Sequence, residues 1–402
     1  MAHHTAHARK KVVIVGGGFA GVSLARLLGR KHDVDVELIS DSDTFRYYPA
    51  LYASATGHTK IESSIPLPFL LFDAPRVGLT RKKITSIDAD KHELTAEDGT
   101  KISYDIAVLA LGVVTSYFGI KGLEEYSYGI KSIEEVTRLR DHLHDELVRA
   151  GRLEHRHVIV GAGPTGIELA AELVSYLRRI AQQHGFPHEK ITIDLIEAAP
   201  HILPRMTTRT ARLVEQRLRS LGVNLMTGKT VQAESATSLL VDGKSLPAET
   251  VVWTAGVTNN PFFAANAGQF KFDERHKVVV DDHFMAAKDI FVLGDNASRP
   301  YSGLAQTAVH DAHFMARYIT AKARGNRLPT ARVIRPISVI PVGHDWAVIE
   351  YGKLAIGGWL GGLLRKAADF IGYYDVASFF MALTLWTANR SQQEDCPICR
   401  QS

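Results

Sequence analysis

Apolar and polar positions follow the same pattern twice along the chain. A short apolar run, a glycine-rich turn and an apolar stripe at helical spacing follow one another in Val13-Ile-Val-Gly16-Gly-Gly18-Phe-Ala-Gly21 and in Val158-Ile-Val-Gly161-Ala-Gly163-Pro-Thr-Gly166. The stripes occupy residues 22–28 and 167–177. Each copy therefore predicts a buried strand, a tight turn and a helix, in that order. The spacing of the copies is too long for a solenoid repeat.

The two turns have the spacing G-x-G-x-x-G, which binds dinucleotide phosphates where it joins a strand to a helix. The first glycine permits the turn, the second lets the backbone approach a pyrophosphate, and the third lets the helix pack on the strand. The helix N-terminus adds free N–H groups and a partial positive charge. A glycine-rich turn without a ligand is the alternative. The predicted phosphate-binding residues are Gly16, Gly18, Phe19, Ala20 and Gly21, and in the second copy Gly161, Gly163, Pro164, Thr165 and Gly166.

An acidic residue at the end of the second strand of each unit would bind the ribose hydroxyls. The second copy has Glu197 at this place, followed by two alanines and by no arginine that could bind a 2′-phosphate, so NADH is favoured over NADPH. In the first copy Ser40 occupies the usual acidic position, and Asp41 comes one residue later. We favour Asp41 as the ribose ligand, and a simple polar strand end is the alternative.

A second pair of matching segments follows the two turns. The dipeptides Asp98-Gly99 and Asp242-Gly243 are hairpin signals, and each precedes an apolar strand, predicted over residues 106–111 and 251–255. Two dinucleotide-type units of matched architecture imply two dinucleotides. FAD with NAD(P)H is the economical pair, because a hydride must pass from one ring to the other.

With these motifs the chain resembles the two-dinucleotide flavoprotein reductases and, among them, the type II NADH:quinone oxidoreductases. The likeness covers about residues 11–345 and includes the segments 45–57, 110–122 and 290–295. It implies FAD as cofactor, NADH as electron donor, a membrane quinone as acceptor, and no proton pumping. The further cofactor-binding residues that it implies are Pro49, Ala110, Leu111, Gly112, Gly256, Gly294, Asp295, Ala305 and Gln306.

The segment from Ala305 to His310 looks like the A-Q-x-A-x-Q segment that lies beside flavin and quinone in this family. Gln306 matches, whereas His310 replaces the second glutamine and lies on the same helix face as Gln306. A histidine there could donate a proton to a reduced quinone, and a solvent-facing or core histidine is the alternative. The resemblance also implies that Glu172 approaches the nicotinamide and the flavin. For Glu168 we expect a first-turn acid that the helix dipole stabilises.

The predicted fold is α/β, with two Rossmann-like dinucleotide-binding domains and a C-terminal helical segment. The FAD domain takes residues 1–115 and 257–335, and the NADH domain, residues 116–256, interrupts it. The C-terminal segment takes residues 336–402. Its apolar stripe from Trp359 to Ile371 and the patch that follows predict attachment to a membrane surface. A dimer interface, or helices packed on the body of the protein, is the alternative.

Composition narrows the classes of function. The chain has 402 residues, 46% of them hydrophobic and 22% charged, which is typical of a globular protein. Its net charge is +4 and it has no basic stripe with interleaved aromatic residues, so nucleic acid is not an expected partner. No apolar run approaches the roughly 20 residues of a membrane-spanning helix, and the N-terminus does not look like a secretory signal. We therefore expect a cytoplasmic protein, peripheral at the inner face of a membrane.

The two cysteines, Cys396 and Cys399, exclude a fold built on disulfides. Both lie far from the glycine-rich turns, so the resemblance does not extend to the disulfide reductases or the sulfide:quinone reductases, which use cysteines near the flavin. One C-x-x-C pair cannot complete a four-ligand zinc site unless a histidine or a second chain contributes, and no metal is predicted. We favour a tail with modest redox or metal capacity, and a regulatory switch or a zinc site between two chains is the alternative. Two alternatives stay open: a reductase of a protein or of oxygen, and a flavoprotein that senses NADH.

Overall fold

The computed structural model describes residues 9–57, 63–149, 156–183, 185 and 191–388, and Cys396 and Cys399 lie outside them. Up to residue 115, buried apolar strands alternate with short helices. The elements are β1 (Lys10–Val15), α1 (Phe19–Gly29), β2 (Val34–Ser40), β3 (Thr44–Arg46), α2 (Tyr48–Ala55), β4 (Ser64–Pro66), α3 (Leu67–Leu70), β5 (Val77–Arg81), β6 (Ile84–Asp88), β7 (Glu93–Ala96), β8 (Lys101–Ser103), β9 (Ile106–Leu109) and β10 (Val113–Thr115).

The next part of the chain repeats the order of strand, glycine-rich turn and helix. Its elements are α4 (Leu123–Tyr126), α5 (Ile133–Arg149), β11 (Arg156–Val160), α6 (Pro164–Gln183), β12 (Thr192–Glu197), α7 (Thr208–Leu221), β13 (Val223–Thr227), β14 (Val231–Ser235), β15 (Ser238–Val241), β16 (Lys244–Pro247) and β17 (Thr250–Trp253).

The last part returns to the first sheet and then adds a separate layer. Its elements are β18 (Val257–Asn259), α8 (Pro261–Ala265), β19 (Met285–Ala287), β20 (Ile290–Val292), α9 (Ala305–Ala323), β21 (Ser338–Pro341), β22 (Ala347–Tyr351), β23 (Leu354–Gly358), α10 (Trp359–Tyr374) and α11 (Phe379–Ala388). Short 3-10 turns cover Ala267–Gln269 and Gly294–Asn296.

Two parallel sheets form the centre of the molecule and confirm the predicted α/β class. The first has the strand order β19-β20-β9-β1-β2-β5, in which only the β19–β20 pair is antiparallel. The second has the order β13-β12-β11-β17 and is parallel throughout. Strands β1 and β11 are almost wholly buried because helices cover both faces of such sheets, which explains their continuous apolar runs.

The strand after each hairpin ends two residues earlier than the sequence predicts. Strand β9 stops at Leu109 and β17 at Trp253, not at residues 111 and 255. The last residues of the neighbouring strands, Val15 and Val160, pair with these two ends. Beyond Val15 and Val160 the chain turns away at a glycine, so pairing ends with one last backbone hydrogen bond in each sheet, from Ala110 to Val15 and from Thr254 to Val160. The two predicted hairpins are confirmed between β7 and β8 and between β15 and β16.

Strands β10 and β18 pair antiparallel where the chain leaves the first sheet and where it returns to it. They lie at the predicted domain boundaries, which remain a prediction. The C-terminal part differs from the helical segment expected, because it begins with the antiparallel sheet β21-β22-β23. Helix α10 packs on all three of these strands, and α11 packs on α10.

Candidate functional site

The first glycine-rich turn leaves open space at one glycine and none at the other two. A side chain at Gly16, where φ is +116°, would overlap the carbonyl oxygen of Ala110, and one at Gly21 would overlap the carbonyl oxygen of Gly16. At Gly18, by contrast, no atom lies within 4 Å of the place that a side chain would take. Gly18 precedes α1 and supplies no side-chain cap, so the N–H groups of the first helical turn are available to an anion. Phe19 begins α1, and the predicted residue Ala20 follows it.

The second turn repeats this arrangement. A side chain at Gly161, where φ is +107°, would lie 2.7 Å from the Cα of Ala255, and one at Gly166 would overlap the carbonyl oxygen of Gly161. Gly163 faces open space, and α6 begins at the next residue, Pro164, followed by Thr165. The residues present therefore fit a dinucleotide at both turns, because the backbone is exposed at the glycine that must approach a pyrophosphate.

The ends of the second strands differ between the two units. The Glu197 carboxylate accepts hydrogen bonds from the N–H groups of Ala162, in the turn, at 2.8 Å and of Ala199 at 2.9 Å. Glu197 therefore holds the turn in place and has lone pairs left for a ribose. In the first unit Ser40 is buried and its hydroxyl accepts the N–H of Ser42 at 3.2 Å, whereas Asp41 is exposed. The ribose roles of these residues remain predictions.

Asp295 follows β20 on a turn that begins with Gly294 in the left-handed region, at φ +66°. Burial raises the pKa of Asp295, while the Lys277 and Lys131 ammonium groups and the N–H of Gly303 lower it. Sequence reasoning missed both lysines, because each lies far from Asp295 along the chain and belongs to no motif.

Asn296, which sequence reasoning also missed, connects Gly112 with Asn259. It is wholly buried, its amide oxygen accepts the Gly112 N–H at 2.8 Å, and its amide nitrogen donates to the Gly112 carbonyl at 2.6 Å and to Asn259 at 2.6 Å. The predicted residues Ala110, Leu111 and Gly112 are thereby held beside Asp295. Pro49 stands in the first turn of α2, and a side chain at Gly256 would lie 2.5 Å from the carbonyl oxygen of Ser116.

Helix α9 carries the residues predicted to lie beside the electron acceptor. Ala305 is its first residue, and the Gln306 side-chain oxygen accepts the Ile337 N–H at 3.0 Å, which ties α9 to the chain just before β21. His310 lies one turn further on, and its Nδ1 is buried without a hydrogen-bond partner in the described part of the chain.

A cluster of ionisable side chains joins α2, α6 and α10. It comprises Tyr52, Glu168, Glu172, Arg365 and Asp369. The charges of Glu172, Arg365 and Asp369 act on the pKa of both Tyr52 and Glu168. Arg365 Nε donates to Asp369 at 2.6 Å, and both side chains are at most 16% exposed. Burial raises the pKa of Glu168 to about 8, and it also raises the pKa of Glu172. We call this group the α10 cluster.

One expectation changes at the α10 cluster. Glu168 was expected to be a first-turn acid with a favourable helix dipole, but burial favours its neutral form instead. Arg365 and Asp369 lie off the apolar stripe of α10, and both are part of the cluster. The ring of Tyr373 in α10 stacks on Tyr47, next to α2, with 4.2 Å between ring centroids.

The outer face of α10 and α11 is apolar. We call it the outer apolar face, and its most exposed members are Trp359 at 70%, Leu363 at 59%, Ile371 at 57%, Phe379 at 53% and Phe380 at 80%. None of the described helices is long and apolar enough to span a membrane.

Comparison with known proteins fits this geometry. A family profile for pyridine nucleotide-disulphide oxidoreductases matches residues 10–312, which include both glycine-rich turns and Asp295. The chain belongs to the pyridine nucleotide-disulphide oxidoreductase family. The match ends inside α9, so the C-terminal sheet and α10 lie beyond the part that defines the family.

Curated relatives within this family extend the similarity to nearly the whole chain. The type II NADH:quinone oxidoreductase NdhA of Mycobacterium tuberculosis is 29% identical, with 92% of this chain and 86% of that protein covered. The type II NADH:quinone oxidoreductase of Staphylococcus saprophyticus is 25% identical, with 90% and 94% covered.

Solved structures show the same fold. NDH2 from Plasmodium falciparum in complex with NADH superposes with a TM-score of 0.83 at 16% identity, covering 94% of this chain and 98% of that one. The sulfide:quinone oxidoreductase of Aquifex aeolicus reaches a TM-score of 0.76 at 21% identity, covering 97% and 93%. Unlike the disulfide-using members of the family, this chain has no cysteine before residue 396. Its described residues contain no group of three or more side chains that could hold a metal ion.

Proposed function

We propose that this chain is a FAD-dependent NADH:quinone oxidoreductase, which passes electrons from NADH through the flavin to a membrane quinone without pumping protons. The observation that carries the proposal is the pair of turns in which only the middle glycine, Gly18 or Gly163, faces open space. Two sites of this kind in one chain match two dinucleotides, and the curated relatives, which are named type II NADH:quinone oxidoreductases, support the same reaction.

We assign FAD to the first turn, to the 110–112 segment and to Asp295, and NADH to the second turn and Glu197. When bound, FAD accepts the hydride of NADH and returns two electrons to the acceptor. The residues of the chain bind and orient both molecules and need no nucleophile, because the rate comes from holding the two rings in contact. In this arrangement the domains are residues 1–115 with 257–335 for FAD and 116–256 for NADH.

The quinone is assigned to the space beside Gln306 and His310. A reduced quinone needs two protons, and the chain has two candidates to hold them. His310 has an imidazole ring, whose nitrogen atoms can hold a proton. Glu168, whose pKa burial raises to about 8, keeps its carboxyl proton at pH 7, and Glu172 lies one helical turn away on α6.

We further propose that the protein attaches to the inner face of the cytoplasmic membrane through the outer apolar face. A contiguous apolar surface on a soluble-type fold marks an interaction site, and aromatic residues such as Trp359 and Phe380 favour the membrane–water boundary. A homodimer that buries the same face is the alternative.

The first experiment is steady-state NADH oxidation by the purified yellow protein, with and without a short-chain quinone. Strong quinone-dependent turnover is expected. If NADH bleaches the flavin and quinone does not restore its colour, the quinone assignment is wrong and a protein or oxygen is the acceptor. If turnover is negligible with every acceptor and NADH changes the association of the protein with partners, the sensing alternative holds.

The membrane assignment is tested by sedimentation with phospholipid vesicles that contain phosphatidylglycerol. We expect Phe380→Asp to remain in the supernatant while the wild-type protein sediments. Phe72→Asp is the matched control, because Phe72 is 83% exposed but belongs to the loop before β5. Equal sedimentation of all three proteins, or a monomer–dimer shift caused by Phe380→Asp alone, contradicts the assignment.

A further inference from the structure

A polar pocket opens beside the turn that carries Asp295. Its polar lining residues are Thr307, His310 and Asp311 of α9, Arg299 and Ser302 of the loop before α9, and Arg332 of the segment after it. Asp311 lines this pocket and is half-buried, so its carboxyl group keeps some contact with solvent. Neither the sequence motifs nor the proposed reaction gives Asp311 a role.

Asp311 reaches from α9 to the backbone of the turn. Its Oδ2 accepts the Gly294 N–H at 3.2 Å. Gly294 lies in the left-handed region at φ +66°, and a side chain there would contact the side chains of Ala308 and Ala20, at 3.5 and 3.7 Å. The turn is therefore fixed on one side by packing and on the other by one side-chain acceptor.

Two guanidinium groups, those of Arg299 and Arg332, line the pocket together with Asp311, and His310 precedes Asp311 on α9. Asp295 of the turn raises its pKa, and Arg299 and the Gly294 N–H lower it, while burial dominates and brings the pKa to about 7. Asp311 forms no ion pair with any described residue. Helix α1 packs along α9 but adds no free charge, because its buried Arg26 binds Asp73 at 2.9 Å.

We propose that Asp311 is a positioning residue for the flavin: its carboxyl group holds the Gly294 turn that directs Asp295, and it exchanges a proton with solvent through the pocket when the charge of the bound flavin changes. This inference rests on the proposed binding of FAD at Asp295. A flavin that takes up two electrons and one proton gains one negative charge. This charge favours the protonated form of Asp311, which takes up the second proton from solvent. By linkage, the ionisation of Asp311 then shifts the reduction potential of the flavin.

The test compares the full-length FAD-loaded wild-type protein with Asp311→Asn, Asp311→Ala and the control Asp90→Asn, at an exposed aspartate in the turn after β6. The dissociation constant of FAD is measured by flavin fluorescence at pH 7. Asp311→Ala removes the acceptor of the Gly294 N–H, so we expect about 5- to 30-fold weaker binding. Asp311→Asn keeps an acceptor oxygen and is expected to bind FAD as the wild type does.

The second measurement is the midpoint potential of the bound flavin from pH 6 to pH 8. The flavin's own proton uptake contributes to this pH profile in every variant. The wild type and Asp90→Asn should show an additional change of slope near pH 7 that Asp311→Asn lacks, an outcome that a merely structural role would not produce. Identical pH profiles of the midpoint potential in the wild type and Asp311→Asn overturn the proposal, as does unchanged FAD affinity in Asp311→Ala. Should Asp311→Ala fail to fold, Asp311→Asn still decides. A wild-type chain that binds no FAD refutes the proposed function instead.

Discussion

Glu234 is a buried acid, and we predict that replacing it with glutamine stabilises the protein. It lies in β14 and is 8% exposed, and its Oε2 has no hydrogen-bond partner among the described residues. Burial alone raises its pKa to about 8 from the ordinary value of 4.5. At pH 7 Glu234 is therefore protonated in the folded protein and ionised in the unfolded chain.

The direction in which the free energy of unfolding changes with pH follows from proton binding at Glu234. Between pH 4.5 and pH 8 the folded state binds more protons at Glu234 than the unfolded state does, so the free energy of unfolding falls as the pH rises. At pH 7 the loss is about 3 kcal/mol as an upper bound, since each pH unit above the unfolded pKa costs about 1.4 kcal/mol. Water entry and relaxation around the carboxyl group reduce the expected gain of Glu234→Gln to about 2 kcal/mol.

The assay is thermal unfolding of the FAD-loaded protein at pH 5 and pH 8, followed by circular dichroism. The wild type should lose more stability than Glu234→Gln between the two pH values, and the variant should unfold a few degrees higher at pH 8. Glu274→Gln, at an exposed position, is the control and should behave as the wild type. A Glu234→Gln protein that is less stable at pH 8, or that keeps the full pH dependence, refutes the reasoning.

Three further predictions concern the turns and the C-terminal sheet. Gly18→Ala should fold but bind FAD more weakly, because its side chain enters the open space proposed for the pyrophosphate. Gly21→Ala should fail to accumulate as folded protein, because its side chain overlaps the Gly16 carbonyl oxygen. Expression level and flavin content distinguish the two variants. Glu197→Gln should raise the KM for NADH about tenfold and leave kcat nearly unchanged, because the turn loses a charge-assisted acceptor; equal KM values would contradict this. Glu350 accepts the N–H and hydroxyl of Thr207 at 3.0 and 2.6 Å, which lowers its pKa. Glu350→Ala should therefore lower the free energy of unfolding by about 2 kcal/mol at pH 7. The difference from wild type should shrink as the pH falls below 4.5, which thermal unfolding at pH 7 and at a pH below 4.5 measures.

The glycine-rich turns could be predicted because their constraint is local. Gly16, Gly21, Gly161 and Gly166 are forced by contacts within a few residues or with the adjacent strand, so a short motif is enough to identify them. Strand ends were less predictable. The apolar residues after Leu109 look like more strand, and only the end of the neighbouring β1 shows where pairing stops.

The residues that sequence reasoning missed act across long separations. Asn296 binds Gly112 and Asn259, and Lys131 lies near Asp295, although no motif connects these positions. The sheet β21-β22-β23 was missed because its strands have only four or five residues each, and the apolar stripe of α10 gave the stronger signal. The burial of Glu168 was not predicted, because it depends on where α10 packs, and the sequence does not show how the C-terminal part is placed against α6.

The stacking of Tyr373 on Tyr47 restricts how this chain can be altered or exchanged with its relatives. The Tyr47 hydroxyl also occupies the space that a side chain at Gly372 would need, so the inner side of α10 forms part of the wall around α2. A chimaera that receives the tail of another family member must therefore receive its matching residue 47 as well. Under the proposed membrane attachment, a form of the protein that needs no detergent is likewise better made by substituting polar residues for Leu363 and Phe380 than by deleting the helices that carry them.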